Sequence, residues 1–309
     1  MLVSIHPGKL FAKYGIDEGF KMLHENGIEG IQFGMGRDIM PAEAVRTDAP
    51  SVMDGTLDDL IDFIRPYKEA AQRHHVAISQ VHAPFPTYIY GPNEEAVYAR
   101  MQDALKKAIA ATEYMESPHC IIHPPFDKDA FALHTYEEEW ALCRRVYEPL
   151  IPYLKKHHVM ALLENMFNRG VEGERYAAVC SDFQEAARWV DNLNEIAGEE
   201  CFGFNFDTGH CFLIRQSVYR SMTLLGKRIK ALHIQDNNGH LDDHLTPYMG
   251  QTNWEGVIQA LIDIGYDGDL NYEAANGLDK FPKELEDVCL LLQSRVGNYM
   301  RDRILAARK

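Results

Sequence analysis

The chain has 309 residues, 46% of them hydrophobic and 25% charged, enough to bury a sizeable core and compatible with one domain. Its 46 acidic and 31 basic residues leave a formal net charge of −15, which repels a polyphosphate backbone and disfavours nucleic acid as a partner. No apolar run is long enough to span a bilayer, no charged n-region leads into an h-region after Met1, and the six cysteines lack CxxC spacing. The expectation is a cytoplasmic protein with reduced, mostly buried thiols and no membrane partner.

In chain order, a strand is expected at residues 2–6 (LVSIH) and another at 30–34 (GIQFG), with an amphipathic helix from about Asp17 to Glu25 closed by Asn26-Gly27. A long connection from Met35 to Gly55 is a candidate lid or substrate loop. A helix follows from Thr56 to about His74, with Asp58 and Asp59 in its first turn. Strand AISQVHA leads to a helix near 94–115, CIIH to a helix over 135–157, and VMALLEN to a helix over 181–196. FGFNFD leads to a helix over 214–226, IKALHIQ to one over 253–264, and DLNYE to a long helix from about 283 to 307. These are eight strand–helix pairs of an α/β chain, with strands apolar enough to be covered on both faces.

Six of the apolar runs end on a metal-competent side chain: His82, His123, Glu164, Asp207, His233 and Glu273. Most successive spacings lie near 40 residues, the length of one strand, loop and helix, which is the repeat of a (β/α)8 TIM barrel. No Pro/Gly/Ser-rich linker divides the chain, so residues 1–309 read as a single barrel domain. Any one such residue could be a satisfied core group. Six at corresponding strand ends are different, because gathering buried carboxylates and imidazoles costs several kcal/mol per ion unless a cation or hydrogen bonds compensate. Glu164, Asp207, His233 and Glu273 supply hard oxygens and one nitrogen, a donor set for Mn, Zn, Co or Mg rather than copper or an iron–sulfur cluster.

The motifs VHAPF, IIHPPF, LLEN, NFDTGHCF, LHIQDNNGHLDDH and the GxxxW from Gly250 to Trp254 resemble the xylose isomerase-like TIM barrels. That group includes sugar isomerases, ketose 3-epimerases, inositol-catabolism isomerases and dehydratases, and apurinic endonucleases. The resemblance implies that Glu164, Asp207, His233 and Glu273 are metal ligands, that Glu164 and Glu273 are also the acid/base pair, and that a sugar or sugar phosphate is isomerised or epimerised through an enediolate. By the same resemblance His210, His82 and His123 contact substrate or add metal ligands. Asp242 and His244 complete the nine positions that hold three zinc ions in the endonuclease branch, which implies the alternative of a multinuclear zinc phosphodiesterase. The acidic chain lacks a basic, aromatic-interleaved groove, and ENMFNRG departs from the small residues expected after this Glu in that branch. Asp242 and His244 are equally compatible with a shell behind one metal, or with a solvated acidic loop.

Other substrate contacts are weaker. Phe85, Tyr88 and Tyr90 could stack on a sugar or simply pack, and Arg169 and Arg175 could grip a phosphate or carboxylate or form surface ion pairs. Trp254 is expected to pack under its loop. The epimerase branch carries an arginine soon after its ligand histidine, where this chain has Asn237, Asn238 and Gly239, a departure that bears on a free ketohexose as substrate. A barrel that binds a polyol for regulation is the non-catalytic reading. The long C-terminal helix offers a surface for a homo-oligomer.

Overall fold

In the computed structural model, residues 1–125 and 135–308 are described. Among them are ten strands: β1 (Val3–Ile5), β2 (Gly30–Gly34), β3 (Ala77–His82), β4 (His119–Ile121), β5 (Met160–Glu164), β6 (Phe167–Arg169), β7 (Arg175–Ala177), β8 (Phe202–Asp207), β9 (Ile229–His233) and β10 (Leu270–Tyr272). Eight are hydrogen-bonded in the order β10-β1-β2-β3-β4-β5-β8-β9. Past the end of β9, Ile234 bridges Tyr272 in parallel, its N–H donating to the Asn271 carbonyl at 2.8 Å and its own carbonyl accepting from Glu273 N–H at 3.0 Å. Parallel strands in sequence order with helices between them are the (β/α)8 TIM barrel that the 40-residue spacing predicts. All eight fall where the apolar runs place them.

The helices begin where short polar side chains satisfy the first N–H groups. Asp182 caps the helix Phe183–Ala197 through Gln184 and Glu185 N–H, Ser217 caps Val218–Leu225, and Asn253 caps Trp254–Asp263. Three expectations need correction. The helix read over 135–157 is Tyr136–Tyr147, a 3-10 turn and Ile151–His157, with Pro149 and Pro152 each in the first turn of its segment, where no backbone N–H is needed. The helix read over 214–226 is shorter, Val218–Leu225, because Ser217 caps it, and a separate helix, Thr208–Leu213, started by Asp207, precedes it. The connection after Met35 holds a short helix, Ala42–Thr47, and a 3-10 turn, Val52–Asp54. An antiparallel hairpin, β6 with β7, also follows Glu164 where no strand is expected.

The chain divides into two compact units, one of residues 1–32, 65–79 and 206–309 and the other of 33–64 and 80–205, so the boundary passes within β2, β3 and β8. In the first, β1 pairs with β10 and β2, and Gly297 of the C-terminal helix Glu286–Ala306 lies against Val3, where a Cβ would collide. In the second, β3, β4, β5 and the first part of β8 pair in turn, and Trp189, Tyr147, Phe202 and Phe204 fill the core. The six cysteines are buried and reduced, and among the described residues no helix is long and apolar enough to cross a membrane.

Candidate metal centre

The second unit gathers His82, His123 and Glu164, with one donor atom from each lying within 4.8 Å of the others. They stand at or just past the C-terminal ends of β3, β4 and β5, where a barrel carries its chemistry. His82 Nδ1 lies 2.8 Å from the Ala83 carbonyl, so Nδ1 carries a proton and Nε2 is the nitrogen turned toward His123. That Nε2 is 3.1 Å from His123 Nε2, which lies 3.5 Å from Glu164 Oε2. Asn205 Nδ2 donates to the same oxygen at 3.1 Å. Two ring nitrogens at that distance need one proton or one cation between them. Phe85, 39% exposed, lies 4.8 Å ring to ring from His123, so it is the aromatic beside this cluster. Tyr88 is buried, with its hydroxyl bonded to Glu94 and Arg145, and Tyr90 packs on its ring at 5.2 Å.

The first unit gathers Asp207, His210, His233, Asp242, His244 and Glu273. Asp207 ends β8 and caps the next helix, Oδ1 accepting from His210 N–H at 2.7 Å, while Oδ2 lies 3.8 Å from His233 Nδ1 and 3.7 Å from His210 Nε2. His233 Nδ1 is also 3.3 Å from Glu273 Oε2. Asp242 Oδ2 lies 3.6 Å from His210 Nε2 and 3.1 Å from His244 Nε2, and Gln235 Nε2 donates to Asp242 Oδ1 at 2.7 Å. His244 Nδ1 lies 2.8 Å from the Glu273 carbonyl. Burial opposes ionisation of Asp242, yet the charges and hydrogen bonds of His210 and His244 hold its carboxyl well below the usual range. Burial opposes the charge on His244 too, but Asp242, then Glu273 and Asp207, push it up to about 10. Asp242 and His244, 26% and 27% exposed, thus bond to this cluster while keeping a face to solvent.

Residues that the sequence reading does not single out hold these groups. Gln32 Oε1 lies 2.7 Å from His233 Nε2 and accepts from Asn271 Nδ2 at 3.1 Å, and Gln32 Nε2 reaches Glu273 Oε1 at 3.4 Å. Ser4 Oγ donates to Asn271 Oδ1 at 3.1 Å. Asp236 is fully buried and accepts four hydrogen bonds, from the N–H groups of Asn237, Gly250 and Thr252 and from Trp254 Nε1. Trp254 thus packs under its loop, as expected. A signal exists for the amides: one inside an apolar strand, as in IQF, FNF and LNY, marks an inward polar position. Arg169 and Arg175 pair across the β6–β7 hairpin, Arg169 exposed and Arg175 bonded to the Gly173 carbonyl at 2.7 Å.

A (β/α)8 barrel with ligand-competent side chains at its strand ends defines the class. The family model described as xylose isomerase-like TIM barrel matches residues 20–290, and the chain belongs to that family. It is 26% identical over 219 residues to the uncharacterized protein MJ1311 of Methanocaldococcus jannaschii, covering 69% of each. Among solved structures it is similar to the 3-keto-D-glucoside 4-epimerase YcjR of E. coli, with TM-score 0.69 and 13% identity over 96% of this chain and 100% of that one. It is likewise similar to the IOLI protein, solved with a bound zinc atom, with TM-score 0.67 and 16% identity over 99% of this chain and 98% of that one. At these identities the structures speak for the shared fold.

Proposed function

We propose that the protein is a metal-dependent sugar or sugar-phosphate isomerase or epimerase, with a divalent Mn, Zn, Co or Mg ion held by Glu164, Asp207, His233 and Glu273. The observation that carries this reading is His233. Its Nε2 faces the Gln32 amide oxygen at 2.7 Å, so Nδ1 is the atom presented to the carboxylates of Asp207 and Glu273, at 3.8 and 3.3 Å. Two carboxylates converging on Nδ1 define a place for a positive charge, which a divalent cation would supply. The donor set is that of the carboxylate- and imidazole-binding metals. The zinc in the IOLI protein and the epimerase activity in the name of YcjR agree with the reading.

A bound metal supplies Lewis acidity that stabilises the negative charge of an enediolate. The chain's own groups move the proton: one of Glu164 and Glu273 removes it from the substrate carbon and the other returns it, which gives a 1,1-transfer or a 1,2-transfer according to the carbon that receives it. His210, His82 and His123 then bind substrate hydroxyls, and Phe85 covers the apolar face of the sugar. The test is metal content of protein purified without chelator, followed by deuterium uptake from heavy water into candidate sugars. About one Mn, Zn or Co per chain with exchange at carbon supports the reading. Metal-free protein that restores no exchange on reloading refutes it.

The His82–His123–Glu164 group favours a second reading, multinuclear zinc phosphodiesterase chemistry, because it is a ligand-competent cluster in its own right. Two or three zinc ions per chain together with cleavage of abasic DNA would select it.

A further inference from the structure

Gln32 is 1% exposed and lies in the middle of β2, and no simple packing role calls for an amide there. The orientation of that amide follows from its partners. The Gln32 NH2 group donates to Glu273 Oε1 at 3.4 Å. The amide oxygen is then the atom 2.7 Å from His233 Nε2, and the Asn271 amide, itself anchored by Ser4 Oγ, donates to that same oxygen at 3.1 Å. An oxygen accepts, so His233 Nε2 must donate. Ser4, Asn271 and His233 are all fully buried, which keeps water from competing for any link of this relay.

We infer that Gln32 is a positioning residue that fixes the proton of His233 on Nε2 and so turns Nδ1 toward Asp207 and Glu273. The inference rests on the metal reading only for its consequence, that Nδ1 is the ligand atom. Without the amide, the ring could place its proton on Nδ1, where Glu273 would bind it, and metal would have to displace that proton. Gln32 also holds Glu273 by its other end, so one side chain sets the spacing of a ligand histidine and an acid/base carboxylate.

The test is ring-nitrogen NMR on histidine-labelled protein, metal-free and zinc-loaded, with the His233 signals assigned by their loss in His233→Gln. In wild-type protein Nε2 keeps its proton in both states. Gln32→Met, close in volume and without an acceptor, lets the proton of the metal-free ring move from Nε2 to Nδ1 and weakens zinc binding by roughly 10- to 100-fold in chelator competition, with an unchanged circular-dichroism spectrum. Gln32→Glu, which keeps an acceptor oxygen, retains the Nε2 proton. A wild-type ring protonated only on Nδ1, or Gln32→Met with tautomer and zinc affinity unchanged, would overturn the inference. If wild-type protein binds no zinc, the metal reading fails, and the tautomer in wild type and Gln32→Met decides the role of Gln32 by itself.

Discussion

Glu164 and Glu273 share a charge and differ in setting. Glu164 is 1% exposed and held by Asn205, whereas Glu273 is 18% exposed and tied by one oxygen to Gln32. On the proposed mechanism, the more accessible carboxylate is the one through which solvent protons would reach a substrate carbon. Glu273→Gln should therefore keep most metal binding and lose deuterium uptake by a factor of about 100 or more. Normal exchange in that variant would sink the two-carboxylate mechanism. His82→Ala should raise the substrate KM and leave the bound metal in place, and loss of all metal would make His82 a ligand and raise the multinuclear reading. Away from the site, burial and then the charge of Glu185 push the Glu139 carboxyl up to about 7. Its folded value lies above its unfolded one, so between about pH 4.5 and 7 the unfolded chain releases the proton first and stability falls as pH rises. After a discount for solvent, the loss is roughly 1–2 kcal/mol. Glu139→Gln should raise the Tm at pH 8 and leave it unchanged at pH 4.

At the scale of elements, the loop from Asp236 to Trp254 shows how a motif becomes a scaffold. Asp236 is the last residue of HIQD, and its four acceptor bonds tie the loop that carries Asp242 and His244 back to its own start. Gly250 is required because a Cβ there would run into the Asp236 carboxylate and the Asn237 carbonyl. Gly250→Ala should cost roughly 1–3 kcal/mol by thermal melting, from overpacking alone. A wild-type Tm would show that the loop has room to move. Gly209 of DTGH has a similar reason, since a Cβ would overlap the Gln235 amide that bonds Asp242. Helix breaks follow local chemistry, as Pro149 and Pro152 show, but the β6–β7 hairpin has no periodicity to announce it. Three residues a side are too few for an alternation to stand out.

At the scale of the whole molecule, ligation and folding are linked. A metal that binds only the native chain stabilises it by about 2.7 kcal/mol at a hundred times its Kd. Removing it with chelator should lower the Tm by several degrees, and an unchanged Tm would count against a resident ion. The family match over residues 20–290 spans both compact units, so the fold belongs to the chain as a whole.

The sequence by itself determined the strands, their order and the side chain ending each, because apolar runs recurring about every 40 residues permit little but a (β/α)8 barrel. It also named the ligand candidates, since His, Asp and Glu at successive strand ends have a chemical meaning before any fold is known. It could not say which of them meet, nor that Asp242 bonds to both His210 and His244. Nor could it reveal Gln32, 201 residues from His233 in the chain and 2.7 Å from its ring. An amide inside an apolar strand is ambiguous until its neighbours are placed, because hydrogen bonds between strands depend on distances that only the tertiary structure sets.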